Sequence, residues 1–329
     1  MELEFAHFFL RTDIEINEDI PYIYDGKVYT PSDLVKDFFN NSFIRPYMQL
    51  VVDNKWCGYS KEEVLNDIIK RGKADFDEPH ISNEVQKPNI DPEKKVLAYC
   101  FWNMRLHFYT FYHLLDLLNN DGEFNYYFKK KLKSRAIQFF DIGCGPLTCP
   151  LALGEFHYSK YNSKLKIDYC GIDISNAMLD TAKKYSFCEV FDKQSNFEFH
   201  SDVSSILVKI DKQLIIINCS FLFFNIEPNS EWVSIYSMFI NSIILSNMES
   251  DIILIYQNPD YDCPAYEVFK TKVIDLKAGI SGKNTINYQH SKQKKIDATV
   301  SRYELLFNTK AATYTGLFRT GVRAKNNES

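Results

Sequence analysis

The chain has 329 residues and a formal net charge of −5, with 45% hydrophobic and 25% charged residues, the balance of a soluble globular protein with room for one large domain or two ordinary ones. Net acidity disfavours wholesale binding of nucleic-acid phosphates, and the eight cysteines form neither a CxxC pair nor a His/Cys cluster at metal spacing, so no metal site is expected and the thiols are read as reduced and mostly buried. The N-terminal "MELEFAHFFLRTDIEINEDI" carries acids throughout instead of a basic start and an apolar core, and no stretch is apolar enough to span a bilayer; the expectation is a cytoplasmic protein with no membrane partner.

In chain order, "TPSDLVKDFF" predicts a helix with Thr30 as N-cap, Pro31 at the first helical position and Asp33 closing a capping box. "SKEEVLNDIIKRG" repeats the pattern with Ser60 and Glu63, an apolar face of Val64, Leu65, Ile68 and Ile69, and Gly72 as the stop. Residues 73–93 lack periodicity and hold three prolines, which marks a linker or an ordered surface loop. A long helix starts at Asp91 and Pro92, and "VLAYCFWNMRLHFYTFYHLLDLL" is apolar on nearly every face, so it belongs between two layers.

Strand-like runs follow at about 136–141, 166–173, 196–200, 213–218 and 251–256, with helical patterns at 150–160, 176–186 and 231–248 and a weak one near 203–211. Continuous apolar strands alternating with helices require a parallel sheet covered on both faces. A further helix at about 265–278 leads to two alternating stretches, 284–290 and 297–307, that suit an antiparallel edge. The expected fold is α/β: a doubly wound, mostly parallel seven-stranded sheet with an antiparallel edge, plus an N-terminal helical extension. The final "GVRAKNNES" reads as a frayed tail.

The chemistry concentrates at "FFDIGCGPLTCPLALGE", where an apolar run ends on Asp141 and spends Gly143 and Gly145 at the turn into a helix. Such a turn lets a ligand approach the backbone at the carboxyl end of a strand. A dinucleotide site would want G-x-G-x-x-G, but the turn reads G-C-G-P-L-T with Leu147 in place of a further glycine. Asp141 would repel a pyrophosphate, whereas it suits a cationic amino-acid ligand.

D-I-G-C-G-P at the end of the first strand resembles motif I of the class I S-adenosylmethionine-dependent methyltransferases. In that family an acid ends the second strand and holds the ribose hydroxyls, and "YCGIDIS" offers Asp173; a polar residue after the third strand lies near the adenine amine, and "FEFHSDVSS" offers Asp202. The resemblance implies S-adenosylmethionine as cofactor, with Asp141 and the Gly143–Cys144–Gly145 turn at its methionine portion, Asp173 at the ribose, Ile174 on one adenine face and Asp202 at its edge. Asn218 and Cys219, ending the fourth strand, complete the set. The resemblance covers roughly residues 95–309; it implies a Rossmann-like methyltransferase domain over 94–329, with residues 1–93 as a helical lid or acceptor-binding region.

Amine-directed members of the family carry a polar residue, two prolines and an aromatic after the fourth strand. "INCSFLFFN" matches the ends of that pattern with Asn218 and Phe221, while Cys219 and Ser220 replace the prolines. His107 and His113, on the aromatic helix with Arg105 and Tyr109, are candidates for a general base or for ordinary core histidines. His200 precedes Asp202. Tyr261, Tyr266 and Asp262 are candidates for an acceptor rim, or simply for a turn imposed by Pro259 and Pro264. "FKKKLKSR", residues 128–135, is read as a solvated surface rather than a nucleic-acid patch. Three functions stay open at this stage: methyl transfer to an unidentified acceptor (small molecule, protein or RNA), a catalytically silent S-adenosylmethionine-binding module, and a nicotinamide-dependent oxidoreductase on the same sheet topology.

Overall fold

In the order β1-β7-β8-β6-β5-β2-β3-β4, eight strands make one sheet: β1 (Val28–Tyr29), β2 (Ile137–Ile142), β3 (Asp168–Ile172), β4 (Asn196–His200), β5 (Leu214–Asn218), β6 (Asp251–Pro259), β7 (Lys277–Tyr288) and β8 (Asp297–Phe307). The structure, a computed structural model, describes residues 28–52, 58–120, 137–210, 212, 214–260, 262–274, 276–288 and 297–308. Strands β2 to β7 form the expected seven-stranded, mostly parallel sheet together with β8, the one strand antiparallel to its neighbours β6 and β7. The eighth, two-residue β1 adds a parallel pairing, Val28 with Asn287, outside β7.

Leu214, Ile215, Ile216 and Ile217 of β5 are all buried, as a strand covered on both faces requires. On one face Phe139, Ile216, Ile253 and Ile255 share a core with Leu114, Leu151 and Phe156, and also with Val35, Phe39 and Phe43 from the N-terminal part. These residues come from α1 (Asp33–Phe39), α5 (Arg105–Asn120) and α6 (Thr148–Tyr161), and Phe43 from the π-helical turn after α1. On the other face Phe140, Ile217 and Leu254 meet α8 (Glu231–Ser246) and α9 (Pro264–Lys272) through Phe239, Ile240, Ile243 and Phe269. The long aromatic helix runs as α4 (Pro92–Tyr99), a π-helical turn (Cys100–Met104) and α5. At that turn Tyr47, on α2 (Arg45–Val52), stacks on Phe101 at 4.2 Å and accepts the indole N–H of Trp102.

Three local expectations are corrected. Helix α1 is capped by Ser32 instead of Thr30, because the carboxylate of Glu155 on α6 takes both the N–H and the hydroxyl of Ser32, at 2.6 and 2.7 Å. The capping box of Ser60 and Glu63 stands as expected, opening the short α3 (Lys61–Glu63). Residues 203–210 are not helical: Val203, Ile206, Val208 and Ile210 pack on the α8 face, and Asn247 accepts from the Ile210 N–H and donates to the Val208 carbonyl. Helix α9 stops at Lys272 and β7 starts at Lys277, well before residue 284, because β7 pairs along the whole of β8. The basic run 128–135, the N-terminal residues 1–27 and the tail lie outside the described residues.

Seven described cysteines are free and six of them are buried. Among the described residues no helix is long and apolar enough to cross a membrane.

Candidate cofactor site at the sheet switch point

The strand order turns between β5, β2 and β3, and there Asp141 stands in register with Asn218 on one side and Gly171 on the other. Ligands of doubly wound sheets bind beyond the carboxyl ends at this point. The chain leaves β2 through three left-handed residues, Gly143 (φ 74°), Gly145 (φ 51°) and Leu147 (φ 70°). The Gly143 and Cys144 N–H groups both donate to the Ile172 carbonyl, at 2.8 and 3.0 Å, tying the turn to the end of β3. A Cβ at Gly143 would come within 2.9 Å of Leu222, while one at Gly145 would enter open space. Gly145 therefore presents bare backbone to room that a ligand can fill. Leu147, at the place of the missing glycine, is fully buried; its packing outweighs a left-handed cost of roughly 1–2 kcal/mol.

Asp141 does not face that room. It is 1% exposed, and its two oxygens accept the Tyr169 hydroxyl at 3.0 Å and the Asn218 side-chain N–H at 2.7 Å. Burial pushes its carboxyl up to about 7 against the opposing pull of these two hydrogen bonds. Tyr169 reaches Asp141 across Gly171, where a Cβ would sit 2.7 Å from the tyrosine ring and 2.8 Å from its hydroxyl. Gly171→Ala is accordingly expected to break the Tyr169–Asp141 bond and to cost about 2 kcal/mol or more, the sum of a lost buried hydrogen bond and overpacking; thermal unfolding of the purified variant measures it.

Asp173 is half-buried beyond β3. One carboxylate oxygen accepts the Gly145 N–H at 2.8 Å and the other the Ser175 N–H at 2.9 Å. Burial raises its pKa and these N–H groups oppose the rise. Each oxygen has a second lone pair to offer, which suits two ribose hydroxyls. Ile174, next to it, is 63% exposed, an apolar surface at the height of the turn. Asp202 is exposed and holds the Ser204 N–H at 2.7 Å and the Ser204 hydroxyl, which lower its pKa. His200 closes β4, with Nδ1 3.3 Å from the Ser205 hydroxyl.

At the end of β5, Asn218 is 1% exposed and both ends of its amide are engaged, the N–H by Asp141 and the carbonyl by the Ser220 hydroxyl at 2.6 Å. Cys219 is buried. Phe221 adopts φ 61°, donates its N–H to the Gln257 carbonyl and lies 3.8 Å from the parallel imidazole of His107. His107 Nδ1 is 3.2 Å from the Tyr99 hydroxyl, and burial lowers its pKa to about 4, so the ring is neutral at pH 7. His113 instead joins Tyr29, whose hydroxyl lies 2.7 Å from its Nδ1 and also donates to Asp116, the ion-pair partner of Lys160. Tyr109 is buried in the core, Tyr266 stacks on Tyr256 at 3.5 Å, and Asp262 pairs with Arg302; Tyr261 lies outside the described residues.

The structure thus brings together Asp141, Gly143, Cys144, Gly145, Asp173 and Asn218, and stacks Phe221, three residues after Asn218, on His107. Sequence reasoning missed Tyr169, Gln257 and Asp77. Tyr169 carries a usable signal, since it lies two residues before Gly171 on a strand and so shares its face. Gln257 reaches the Thr110 carbonyl at 3.0 Å, a partner no local pattern reveals. The Asp77 carboxylate accepts the Ser175 hydroxyl and the N–H groups of Asn176 and Ala177, at 2.8 to 2.9 Å, capping α7 (Asn176–Tyr185) from far away in the chain.

No protein-family model matches the chain, and no curated protein sequence matches it. Among solved structures it is similar to magnesium protoporphyrin IX methyltransferase (ChlM) from Synechocystis PCC 6803 with bound SAM, at 13% identity and a TM-score of 0.36 over 79% of this chain and 96% of that one. The same enzyme with bound SAH gives 14% identity and a TM-score of 0.35, covering 84% and 98% of the two chains. Precorrin-6y C5,15-methyltransferase from Geobacter metallireducens GS-15 gives 11% and 0.33, covering 53% and 85%.

Proposed function

We propose that the protein is an S-adenosylmethionine-dependent methyltransferase. The observation that carries this reading is the pairing, at the sheet's switch point, of a glycine turn open at Gly145 with the Asp173 carboxylate that braces it at 2.8 Å. When bound, the cofactor supplies a methyl group on a sulfonium. Asp173 would hold the ribose hydroxyls, Ile174 and Asp202 would flank the adenine, and Gly143, Cys144 and Gly145 would line the methionine portion. Asp141, buried beneath the turn, would add negative potential under a cationic ligand once ionised, and it accepts the Asn218 amide N–H.

The chain's own part in the transfer is orientation, because displacement at a sulfonium needs an aligned nucleophile more than a strong base. Neutral His107, facing Phe221, would be the general base on this reading; with a pKa of about 4 it accepts a proton only from an acceptor that sheds one readily. The described part of residues 1–93, with Tyr99 and His107, would form the lid and acceptor wall, with Tyr109 and Phe221 among the residues behind it. The acceptor is a nitrogen or oxygen of a small molecule, protein or RNA. The silent cofactor-binding module is the second reading, favoured by one observation: Asn218 and Phe221, which would grip an amine, are already engaged by Asp141, Ser220 and His107. Against a nicotinamide enzyme stand the acid below the turn and the missing glycine at Leu147.

Calorimetric titration of S-adenosylmethionine and S-adenosylhomocysteine tests the reading. Saturable heat with the wild type, lost in folded Asp173→Ala and Asp141→Ala variants, is the expected result; no heat with either ligand on folded wild type would reject it.

A further inference from the structure

Residues 73–77 open the stretch that the sequence leaves as a linker or loop, yet together with Gly72, the stop of the preceding helix, they are held at both ends and in the middle. At one end Gly72 (φ 93°) packs on the Tyr99 ring and the Lys73 ammonium lies 3.9 Å over the ring of Phe224, in the loop after β5. At the other end Asp77 caps α7, the helix after β3. Between them Phe76 is buried edge-on against Tyr99, and the buried ammonium of Lys95 donates to the carbonyls of Asp75 and Glu78. In the sheet β2 and its glycine turn lie between β5 and β3. Two strand spacings are roughly 10 Å, and the four residue steps from Lys73 to Asp77 span at most about 14 Å. With its ends tied to the loop after β5 and to the start of α7 after β3, the segment is long enough to pass the carboxyl end of β2.

Ser175 couples this crossing to the site. Its N–H donates to Asp173 and its hydroxyl donates to Asp77. The N–H groups of Asn176 and Ala177 converge on the same carboxylate, whose pKa these contacts lower despite its partial burial.

We propose that Gly72–Asp77 is the cover of the cofactor site and that Asp77 is both its latch and a positioning residue for Asp173. This rests on the cofactor reading above. Entry and exit of the cofactor then require the contacts of Asp77 with α7 to release, while closure sets the Ser175–Asp173 corner against the ribose. Lys95 keeps the cover folded when the latch is open, because two backbone carbonyls converge on it.

The test is stopped-flow measurement of S-adenosylhomocysteine association and dissociation with the wild type, Asp77→Asn, Asp77→Ala and Lys95→Met, alongside amide exchange of Asn176 and Ala177 without ligand. Faster exchange in the Asp77 variants shows that the latch is broken. The expected result is then a dissociation rate raised about tenfold or more in Asp77→Ala, less in Asp77→Asn, with association also faster. Lys95→Met, which leaves Ser175 and Asp173 untouched, is expected to raise both rates as well. Rates within twofold of wild type despite faster amide exchange would overturn the cover and leave the cofactor reading standing. No binding of the ligand to the wild type would overturn both.

Discussion

Replacing Asp173 by alanine is expected to weaken S-adenosylmethionine binding by a factor of about a hundred or more in a chain that still folds. The carboxylate has two duties. It accepts the N–H groups of Gly145 and Ser175, and on the proposed reading its remaining lone pairs would take two ribose hydroxyls. Hydrogen bonds to a charged acceptor contribute roughly 1.5–3 kcal/mol each, so two lost to the ligand amount to about 3–6 kcal/mol, and each 1.4 kcal/mol is tenfold in affinity. Asp173→Asn is expected to fall between, because its amide N–H₂ must face either a backbone N–H or a hydroxyl. Calorimetry with circular dichroism on the same samples measures both. Undiminished affinity in folded Asp173→Ala would remove this carboxylate from the site.

Asp141 makes a second large effect, this one readable without ligand. Its carboxyl lies at about 7 in the folded protein because burial disfavours the charged form, against an ordinary value near 3.9 once unfolded. Between those values the folded state binds more protons than the unfolded one, so stability falls as pH rises from about 4 to about 7 and the loss is complete above that. The full difference is on the order of 4 kcal/mol. Asp141→Asn is expected to flatten this part of the profile and to narrow its gap to wild type as pH falls; chemical denaturation across the window checks it. A cationic ligand favours the ionised acid, so S-adenosylmethionine binding below pH 7 is expected to release protons and to tighten as pH rises towards 7. Titrations in buffers of different ionisation enthalpy would count those protons.

Much of this site is written locally. Asp173 is legible because "YCGID" is a buried strand that ends on an acid, and the β2 turn because two glycines follow another such strand. Ser60 with Glu63 is legible for the same reason: the bonds close within three residues. Where the decisive partner is remote, the sequence is silent. Thr30 was the natural cap for α1 until Glu155 claimed Ser32. Val203, Ile206 and Ile210 fall at helical spacing, yet the segment is drawn straight by Asn247. Asp77 sits in a proline-rich stretch with nothing nearby to mark it. Likewise, nothing in "INCSF" says that Asn218 points inward to Asp141, since that depends on the register between β2 and β5.

The two exchanged carboxylates, Glu155 on Ser32 and Asp77 on α7, have a kinetic meaning as well. Each closes a contact between residues about a hundred positions apart, 123 for the first and 98 to 100 for the second. Loops of that length close late and slowly. The first turns of α1 and α7 should therefore be among the last parts of the chain to become ordered during refolding.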